Sequence, residues 1–337
     1  MVEGLTGIAV VLLAAMLVLL LLLVLRRVQL ARRERRRQET ERRVRPLAVA
    51  LVEGEDVEWS TVAPGEQAVL AEVLGRYSRK LRGEAKGRIA AYFRDSAALA
   101  AARGDLRARR TWRRAAAAYR LGDMGCEEVA PELLAALEDP ERDVRGAAAR
   151  SLGRLGVTAA ALPLVEVLVS RRVPTGVAGG ALLELGAEIR PELSTIAAHP
   201  DPPVRATAIT LLGLVGDSGD APIAAKALGD PAADVRRAAA EALGRIGTFD
   251  DEAALRAALD DRMHFVRAEA ASALGVIDAP QALPRLVEIA RSDRFRPARA
   301  AARAVARIDP ATLRAAAAEP GAGPHLHEAA DLLSVAA

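Results

Sequence analysis

The residues best suited to chemistry in this chain are its four histidines and its single cysteine. His199, His264, His325 and His327 include only one close pair, and two residues separated by one position do not converge on the same face of a helix. Cys126, being alone, can form neither an internal disulfide nor a zinc site built on several thiolates. These residues therefore do not indicate a metal or nucleophilic centre.

The sequence also lacks the short motifs that mark common catalytic centres. It contains no HExxH, no GxSxG, no Walker loop and no GxGxxG that follows a strand. The paired acids Asp250-Asp251 and Asp260-Asp261 stand before predicted helices, where carboxylates cap backbone N–H groups, and none has the spacing of a calcium loop. We therefore predict no catalytic residues, no metal site and no cofactor.

The elements that would position any binding site are set by an internal repeat. Equivalent hydrophobic residues recur at intervals of 30 or 31 residues, which indicates a solenoid of stacked helical units. Only 3% of residues are aromatic, and Ala and Leu dominate, which suits thin, closely packed helices. We predict an all-α solenoid of about seven helix pairs, each made of helix A, a turn and helix B. The recurring positions are Leu121, Leu152, Leu182, Leu212, Leu243, Leu274 and Val305.

Three features of the repeat predict its packing. An Asp before helix B is expected to cap backbone N–H groups. A Val-Arg step is expected to place its Arg beside an Asp of a neighbouring repeat. A Gly after the recurring Leu is expected to allow adjacent helices to approach closely. One unit, residues 171–187, lacks the turn and the Val-Arg step and carries three glycines in helix B, so it is a decayed repeat, a hinge or the floor of a groove. The expected aspartates are Asp139, Asp230 and Asp260; the arginines are Arg145, Arg205, Arg236 and Arg267; the close-approach glycines are Gly153, Gly213, Gly244 and Gly275; and the irregular ones are Gly176, Gly179 and Gly180.

These units resemble the HEAT-repeat superfamily, in particular the short HEAT-like repeats also found in phycobilin lyases. The resemblance covers roughly residues 105–310 and is carried by DPERDVRGAAARSLGRLG, DPAADVRRAAAEALGRIG and DDRMHFVRAEAASALGVID. The layout of the whole chain is also similar to bacterial membrane-anchored HEAT-repeat proteins, and that resemblance implies a gene encoded beside those of membrane glycosyltransferases. The HEAT-repeat resemblance is specific for the fold and implies little about function.

The N-terminal segment predicts a membrane anchor. Leu5–Leu25 is a run of 21 uncharged residues, and at 1.5 Å per residue its length of about 31 Å matches a bilayer core. Residues 26–45 carry ten Arg and three Glu, a net charge of +7 in a chain whose total is +3, so this flank should be cytoplasmic. The anchor is therefore expected to be a single-pass span of the cell membrane with residues 1–4 outside and the solenoid in the cytoplasm. Arginines expected to meet anionic headgroups are Arg26, Arg27, Arg32, Arg33, Arg35, Arg36 and Arg37.

Four further segments follow the anchor. Residues 26–46 form the Arg-rich juxtamembrane segment, which Pro46 is expected to end because a residue before proline avoids the helical region. Residues 47–103 form a helical cap, 104–310 the repeats and 311–337 a C-terminal cap.

Exposed positions of the B helices form the candidate partner-binding face. It is mostly basic, which predicts a protein partner with an acidic surface, and it lacks the aromatic residues that nucleic-acid binding would need. We predict a non-catalytic membrane-anchored scaffold; the alternatives are an accessory subunit of a membrane glycosyltransferase or another membrane enzyme, and a HEAT-like lyase. The predicted face consists of Arg150, Arg154, Arg237, Glu241, Arg245, Arg299, Arg303 and Arg307.

Overall fold

The structure is a computed structural model of the 337-residue chain, and it is built from helices. Its backbone is described for residues 2–57, 62–94 and 96–336, and its side chains for the same residues except 2–15, 17, 18, 33, 64, 335 and 336. The chain divides into two compact units. One comprises Met1–Arg107 with Arg120–Cys126, and the other Ala108–Tyr119 with Glu127–Ala337.

The first unit contains a long N-terminal helix and three shorter ones. Helix α1 packs on α2 and α3, and α3 contacts α4. Large apolar side chains close this core, among them Leu70, Leu74, Ile89 and Phe93, all of which are buried. The helices are α1 (Val2–Glu53), α2 (Pro64–Ser78), α3 (Glu84–Arg94) and α4 (Ala97–Asp105).

Helix α1 continues through Pro46, so the prediction that this proline ends the basic helix is wrong. Proline removes one backbone hydrogen bond from a helix interior and costs about 3 kcal/mol. Val44 and Ala48 on either side are 1% and 0% exposed, and this packing against the rest of the unit offsets the cost.

The second unit is the repeat region. Short A helices alternate with longer B helices, as the 30–31-residue period predicts. The A helices are α6 (Ala130–Ala136), α8 (Ala161–Val169), α10 (Arg190–Ile196), α12 (Ala221–Ala227), α14 (Glu252–Ala258), α16 (Leu283–Ser292) and α18 (Pro310–Ala318). The B helices are α5 (Thr111–Met124), α7 (Arg142–Leu155), α9 (Thr175–Leu185), α11 (Pro202–Val215), α13 (Ala233–Ile246), α15 (His264–Val276) and α17 (Phe295–Ile308), followed by α19 (Pro324–Ala336). Of α5, only the residues up to Tyr119 belong to this unit.

Neighbouring B helices pack through the glycine that follows the recurring leucine. A Cβ placed on Gly213 would lie 2.8 Å from the Cα of Ala242, and one on Gly275 would lie 2.8 Å from the Cα of Ala304. Real Cβ atoms do not approach that closely, so each helix touches the backbone of the next only because this side chain is missing. The predicted close approach is confirmed at these glycines.

A ladder of arginine–aspartate pairs joins successive turns. In each pair the guanidinium donates two hydrogen bonds to one carboxylate, and both side chains are at least four-fifths buried. The same carboxylates accept from backbone N–H groups at the start of a B helix, as at Glu141 and Ala232. The pairs are Arg114–Asp139, Arg205–Asp230, Arg236–Asp261 and Arg267–Asp293.

Two details of the predicted ladder are wrong. Asp261, not Asp260, is the buried partner, because it is the residue that stands 13 positions before the recurring Leu274; Asp260 pairs with Arg285 at the surface instead. Arg145 has no carboxylate partner among the described residues, and its Nε donates to the Arg172 carbonyl oxygen at 3.0 Å instead.

The irregular unit interrupts the stack of B helices. From α7 to α17, each B helix packs on the next except α9 and α11, and α11 instead contacts α8. In this unit Leu183, which is 51% exposed, stands at the position that Gly153 and Gly213 occupy in their repeats. Gly179 and Gly180 have open space around the Cβ position, so they do not mark a close helix crossing.

Candidate interaction surface

The B helices place six of the eight predicted face residues in two rows, and Arg237 and Arg299 lie one helical turn before the first of these rows. The first row lies two residues before each recurring leucine, and the second row lies two residues after it. On each helix the two positions are four residues apart, so they lie on the same side of the helix. All eight predicted residues are exposed or partly exposed. The first row runs Tyr119, Arg150, Gly180, Thr210, Glu241, Ser272 and Arg303, and the second runs Arg154, Glu184, Leu214, Arg245, Val276 and Arg307.

Arg150 and Arg154 gather around an aromatic ring. Their guanidinium carbons lie 5.8 and 5.3 Å from the ring centroid of Tyr119, and Arg150 also donates a hydrogen bond to the tyrosine hydroxyl. Cation–π contacts of this kind contribute about 0.5–1 kcal/mol at exposed sites. This end of the face is basic, but both guanidinium groups already contact the Tyr119 side chain.

The middle of the face is a network of opposite charges. Glu241 accepts from Arg237 at 3.2 Å and from Arg245 at 2.9 Å, both one helical turn away. On the next B helix, burial and then the nearby Glu241 carboxylate raise the pKa of the Glu269 carboxyl above its ordinary value. Arg237, Arg245 and Arg296 act in the opposite direction. Glu241 and Glu269 therefore oppose the charges of Arg237 and Arg245, which reduces the positive charge that the middle of the face offers a partner.

The C-terminal end of the face is different, because its arginines outnumber the acids. Arg296, Arg299, Arg303 and Arg307 of α17 line a cleft of about 500 Å³ between α15 and α17. Only Arg299 has an acidic partner within 4 Å in the part of the chain that the structure describes, namely Glu328 at 3.6 Å.

Two apolar side chains flank these arginines. Phe295, 62% exposed, stands at the start of α17, and Val276, 46% exposed, at the end of α15. The Arg299 guanidinium carbon is 5.9 Å from the Phe295 ring centroid, and His325 packs edge-on against that ring at 4.9 Å. The prediction from sequence omitted Arg296, Phe295 and Val276. The spacing of Phe295, Arg299, Arg303 and Arg307 at four-residue intervals was the signal that could have found one of them.

The histidines do not form a joint site. His199 replaces the turn aspartate, and its Nδ1 accepts from the Asp201 backbone N–H at 3.1 Å, while Nδ1 of His327 lies 3.2 Å from the Gly323 carbonyl oxygen. Over the described residues, no group of three or more His, Cys, Asp or Glu side chains is placed to hold a metal ion. Cys126 is buried, with its Sγ 3.4 Å from the Ala90 carbonyl oxygen.

Another cleft, of about 610 Å³, lies beside the irregular unit. Glu138, Glu166, Arg172 and His199 are among its lining residues. Arg172 donates to Glu138 at 2.9 Å, and this hydrogen bond lowers the pKa of the Glu138 carboxyl. Glu166 and Asp201 also line the cleft, so its carboxyl groups outnumber its single arginine and it does not suit an acidic partner.

The predicted membrane-facing residues lie on α1. In the part of the chain that the structure describes, no helix is both long enough and apolar enough to cross a membrane. The predicted span Leu5–Leu25 is helical, but its side chains before Leu19, apart from Met16, are outside the described residues, as is Arg33. The other predicted headgroup-contacting arginines are exposed, and Arg37 pairs with Glu72.

Comparisons with known proteins identify the repeat. Residues 105–186 and 189–262 match the family described as HEAT repeats, and residues 266–292 match the PBS lyase HEAT-like repeat. Among curated proteins, none matches this chain.

Solved structures match this chain at low similarity. The complex of CpcE and CpcF of phycocyanin lyase from Nostoc sp. PCC7120 is 24% identical over 43% of this chain and 98% of that chain, with a TM-score of 0.39. Human deoxyhypusine hydroxylase is 22% identical over 81% of this chain and 98% of that chain, with a TM-score of 0.33. A Kap95p–RanGDP structure is 13% identical over 80% of this chain and 43% of that chain, with a TM-score of 0.45. All three structures have TM-scores below 0.5. The family matches and the 30–31-residue helix pairs assign the repeat region of this chain to the HEAT repeats.

Proposed function

We propose that this chain is a non-catalytic, membrane-anchored scaffold whose B helices dock a protein with an acidic surface. The observation that carries the proposal is the shared register of the B helices, which turns exposed arginines of α7, α13 and α17 toward one side of the repeat region. HEAT repeats generally mediate protein–protein interaction, and their stacked helices offer extended surfaces. A complementary acidic surface would be steered to such a face.

The anchor is proposed from the exposed apolar side chains of α1. Leu19 to Leu25 are between 49% and 59% exposed, on every side of the helix. A helix that is apolar all round favours a lipid environment, and the arginines that follow it favour the cytoplasmic side. We place the repeat region in the cytoplasm on this basis.

Membrane extraction tests the anchor. The full chain is expected to stay in the membrane pellet after alkaline carbonate washing. A variant with Leu20→Arg and Leu22→Arg is expected to be released, because each central charge costs about 2.5–3.5 kcal/mol of insertion. Arg32→Leu with Arg36→Leu is the control, and it should stay in the pellet. Release of the unaltered chain would contradict the anchor.

Crosslinking in cells tests the docking. The unaltered chain is compared with a variant carrying Arg150→Gln, Arg154→Gln, Arg303→Gln and Arg307→Gln, and with Arg142→Gln/Arg256→Gln/Arg262→Gln/Arg314→Gln as the charge-matched control. A partner whose crosslinked peptides are rich in Asp and Glu should be lost only from the first variant. Equal capture by all three proteins would overturn the assignment of this face. A membrane enzyme as that partner would make the chain its accessory subunit.

A further inference from the structure

We infer that the arginine cleft between α15 and α17, lined by Arg296, Arg299, Arg303 and Arg307 with Phe295 and Val276, binds an acidic protein segment that carries apolar side chains. The inference rests on the proposed function, since it names the part of the B-helix face that makes the contact and the chemistry of what it contacts. It departs from the sequence prediction, which treated all eight face residues as equivalent.

The charge balance along the face selects this cleft. Arg237 and Arg245 are paired with Glu241, and Arg150 is held by Tyr119. By contrast, Arg303 and Arg307 make no ion pair or hydrogen bond with any residue that the structure describes, and both are exposed. An incoming carboxylate would gain most beside these two arginines, because no protein carboxylate has to be displaced there.

Desolvation inside the cleft strengthens the case for an anion. The Nε atom of Arg299 is buried without a hydrogen-bond partner in the described part of the chain, although its Nη2 atom reaches Glu328. A buried donor that lacks an acceptor costs about 1–3 kcal/mol. A ligand oxygen, or a shift of Glu328 that a ligand brings about, would relieve that cost.

The apolar residues identify the anion as part of a peptide. Phe295 and Val276 are exposed at the two ends of the cleft, and the twelve-residue rise from Phe295 to Arg307 spans about 18 Å. A segment of about six extended residues covers this length and can place apolar side chains at both ends with carboxylates between them. A flat bilayer surface cannot enter a cleft between two helices, and one exposed ring offers a nucleic acid little base stacking.

Fluorescence anisotropy with a defined probe tests the inference. The full chain in detergent is titrated into a fluorescein-labelled peptide of four glutamates flanked by a leucine on each side. Binding should weaken by about tenfold or more in Arg303→Glu/Arg307→Glu, because two close charge pairs become repulsive. Arg142→Glu/Arg314→Glu, which changes the net charge equally, should bind within about twofold of the unaltered chain.

Two further arms separate the cleft from general charge and from misfolding. The Arg303→Glu/Arg307→Glu protein should bind the same peptide with lysines in place of the glutamates, which a misfolded variant would not do. Replacing both leucines of the probe by serine should weaken its binding to the unaltered chain. The inference is overturned if the two charge reversals leave the affinity for the lysine peptide unchanged. It is also overturned if replacing the leucines by serine leaves the affinity of the unaltered chain for the probe unchanged.

The remaining outcomes distinguish this inference from the proposed function. Loss of peptide binding in Arg150→Glu/Arg154→Glu instead would overturn the cleft assignment and leave docking on the B helices standing. No binding by the unaltered chain, or tighter binding of a single-stranded oligonucleotide or of inositol phosphate than of the peptide, would overturn the acidic-segment inference. The crosslinking comparison would then decide the proposed function by itself.

Discussion

At the scale of single residues, the buried arginines of the ladder do more than balance charge. The Arg236 guanidinium donates to both oxygens of Asp261, at 2.6 and 3.0 Å, and to the carbonyl oxygens of Asp230 and Pro231. Asp261 also accepts from the Met263 backbone N–H. One side chain thereby fixes the turn before its own helix and the turn of the next repeat.

The adjacent aspartates of this turn provide a matched test. Asp261→Asn should lower the free energy of unfolding by about 2–3 kcal/mol, because it leaves the Arg236 charge without its buried partner. Asp260→Asn should cost less than about 1 kcal/mol, since Asp260 and Arg285 are 66% and 40% exposed. Urea denaturation followed by circular dichroism compares them. Equal effects would contradict the assignment of Asp261 to the ladder.

The ladder also predicts the response to acid. In Asp139, Asp230 and Asp261 burial raises the pKa, but hydrogen bonds from an arginine and a backbone N–H, with the arginine's charge, lower it by more. In Asp293 the hydrogen bond from Arg267 has the largest effect and lowers the pKa. Because the folded-state pKa values lie below that of an unfolded Asp, about 3.9, this stabilisation is complete above that pH and disappears as the pH falls through the folded-state values.

We therefore expect the urea midpoint to change little between pH 7 and pH 5 through these groups and to fall below about pH 4. The loss on acidification should be smaller in Asp261→Asn, which has one ladder carboxylate fewer. Midpoints measured at several pH values in both proteins give the two slopes. The same loss in both would show that Asp261 does not titrate with a lowered pKa.

At the scale of helices, two glycines inside B helices have opposite roles. Gly213→Ala should destabilise the protein by about 1–3 kcal/mol, because its Cβ would lie 2.8 Å from the Cα of Ala242. Gly180→Ala should stabilise it by up to about 1 kcal/mol, because the position is helical and open, and alanine is the better helix former. Thermal unfolding of the two variants should shift in opposite directions. A shift of the same sign in both would contradict the packing described for one of them.

The irregular helix α9 shows why a few residues change the stacking of an element. It begins seven residues before its recurring leucine, whereas α7 and α11 begin ten residues before theirs. The first turn that would carry the ladder arginine is shortened, and Thr175 stands at that register. The acceptor is lost together with the donor, since His199 replaces the aspartate of the next turn.

At the scale of the repeat region, α9 and α11 do not pack closely, and this weak junction divides the stack of B helices. Stability in a solenoid passes mainly between neighbouring repeats, so a weak junction limits how far a perturbation spreads. Helices α11, α13, α15 and α17 remain stacked in sequence, and α7 packs on α9. The two groups are joined through α8, which contacts α10 and α11.

Hydrogen exchange followed by mass spectrometry tests this division. Asp261→Asn should speed amide exchange in α11, α13 and α15, because their shared interfaces open together. Exchange in α7 and α9 should change by less than about twofold. Asp260→Asn serves as the control and should leave all five helices near the unaltered rates. An equal increase on both sides of the α9–α11 junction would contradict the division.

The sequence by itself determined the repeat, the order of A and B helices and the role of the close-approach glycines. These follow from local periodicity and from the absence of a Cβ, both of which can be seen along the chain. It also showed residues 171–187 to be unusual, and it placed the candidate arginines on exposed positions of the B helices. Whether the predicted cap, residues 47–103, closes the repeat array stays a prediction.

Only the tertiary structure decided which charges have partners. The sequence predicts Asp260 as the ladder residue, whereas in the structure Asp261 pairs with a buried guanidinium and Asp260 pairs with Arg285 at the surface. The structure likewise separated the compensated Arg237 and Arg245 from the uncompensated Arg303 and Arg307. The structure also decided that α1 continues through Pro46, because burial of Val44 and Ala48 outweighs the tendency of a proline to end a helix. In each case the deciding energy comes from contacts between residues that are far apart in the chain or on opposite sides of a turn, and local propensity cannot report them.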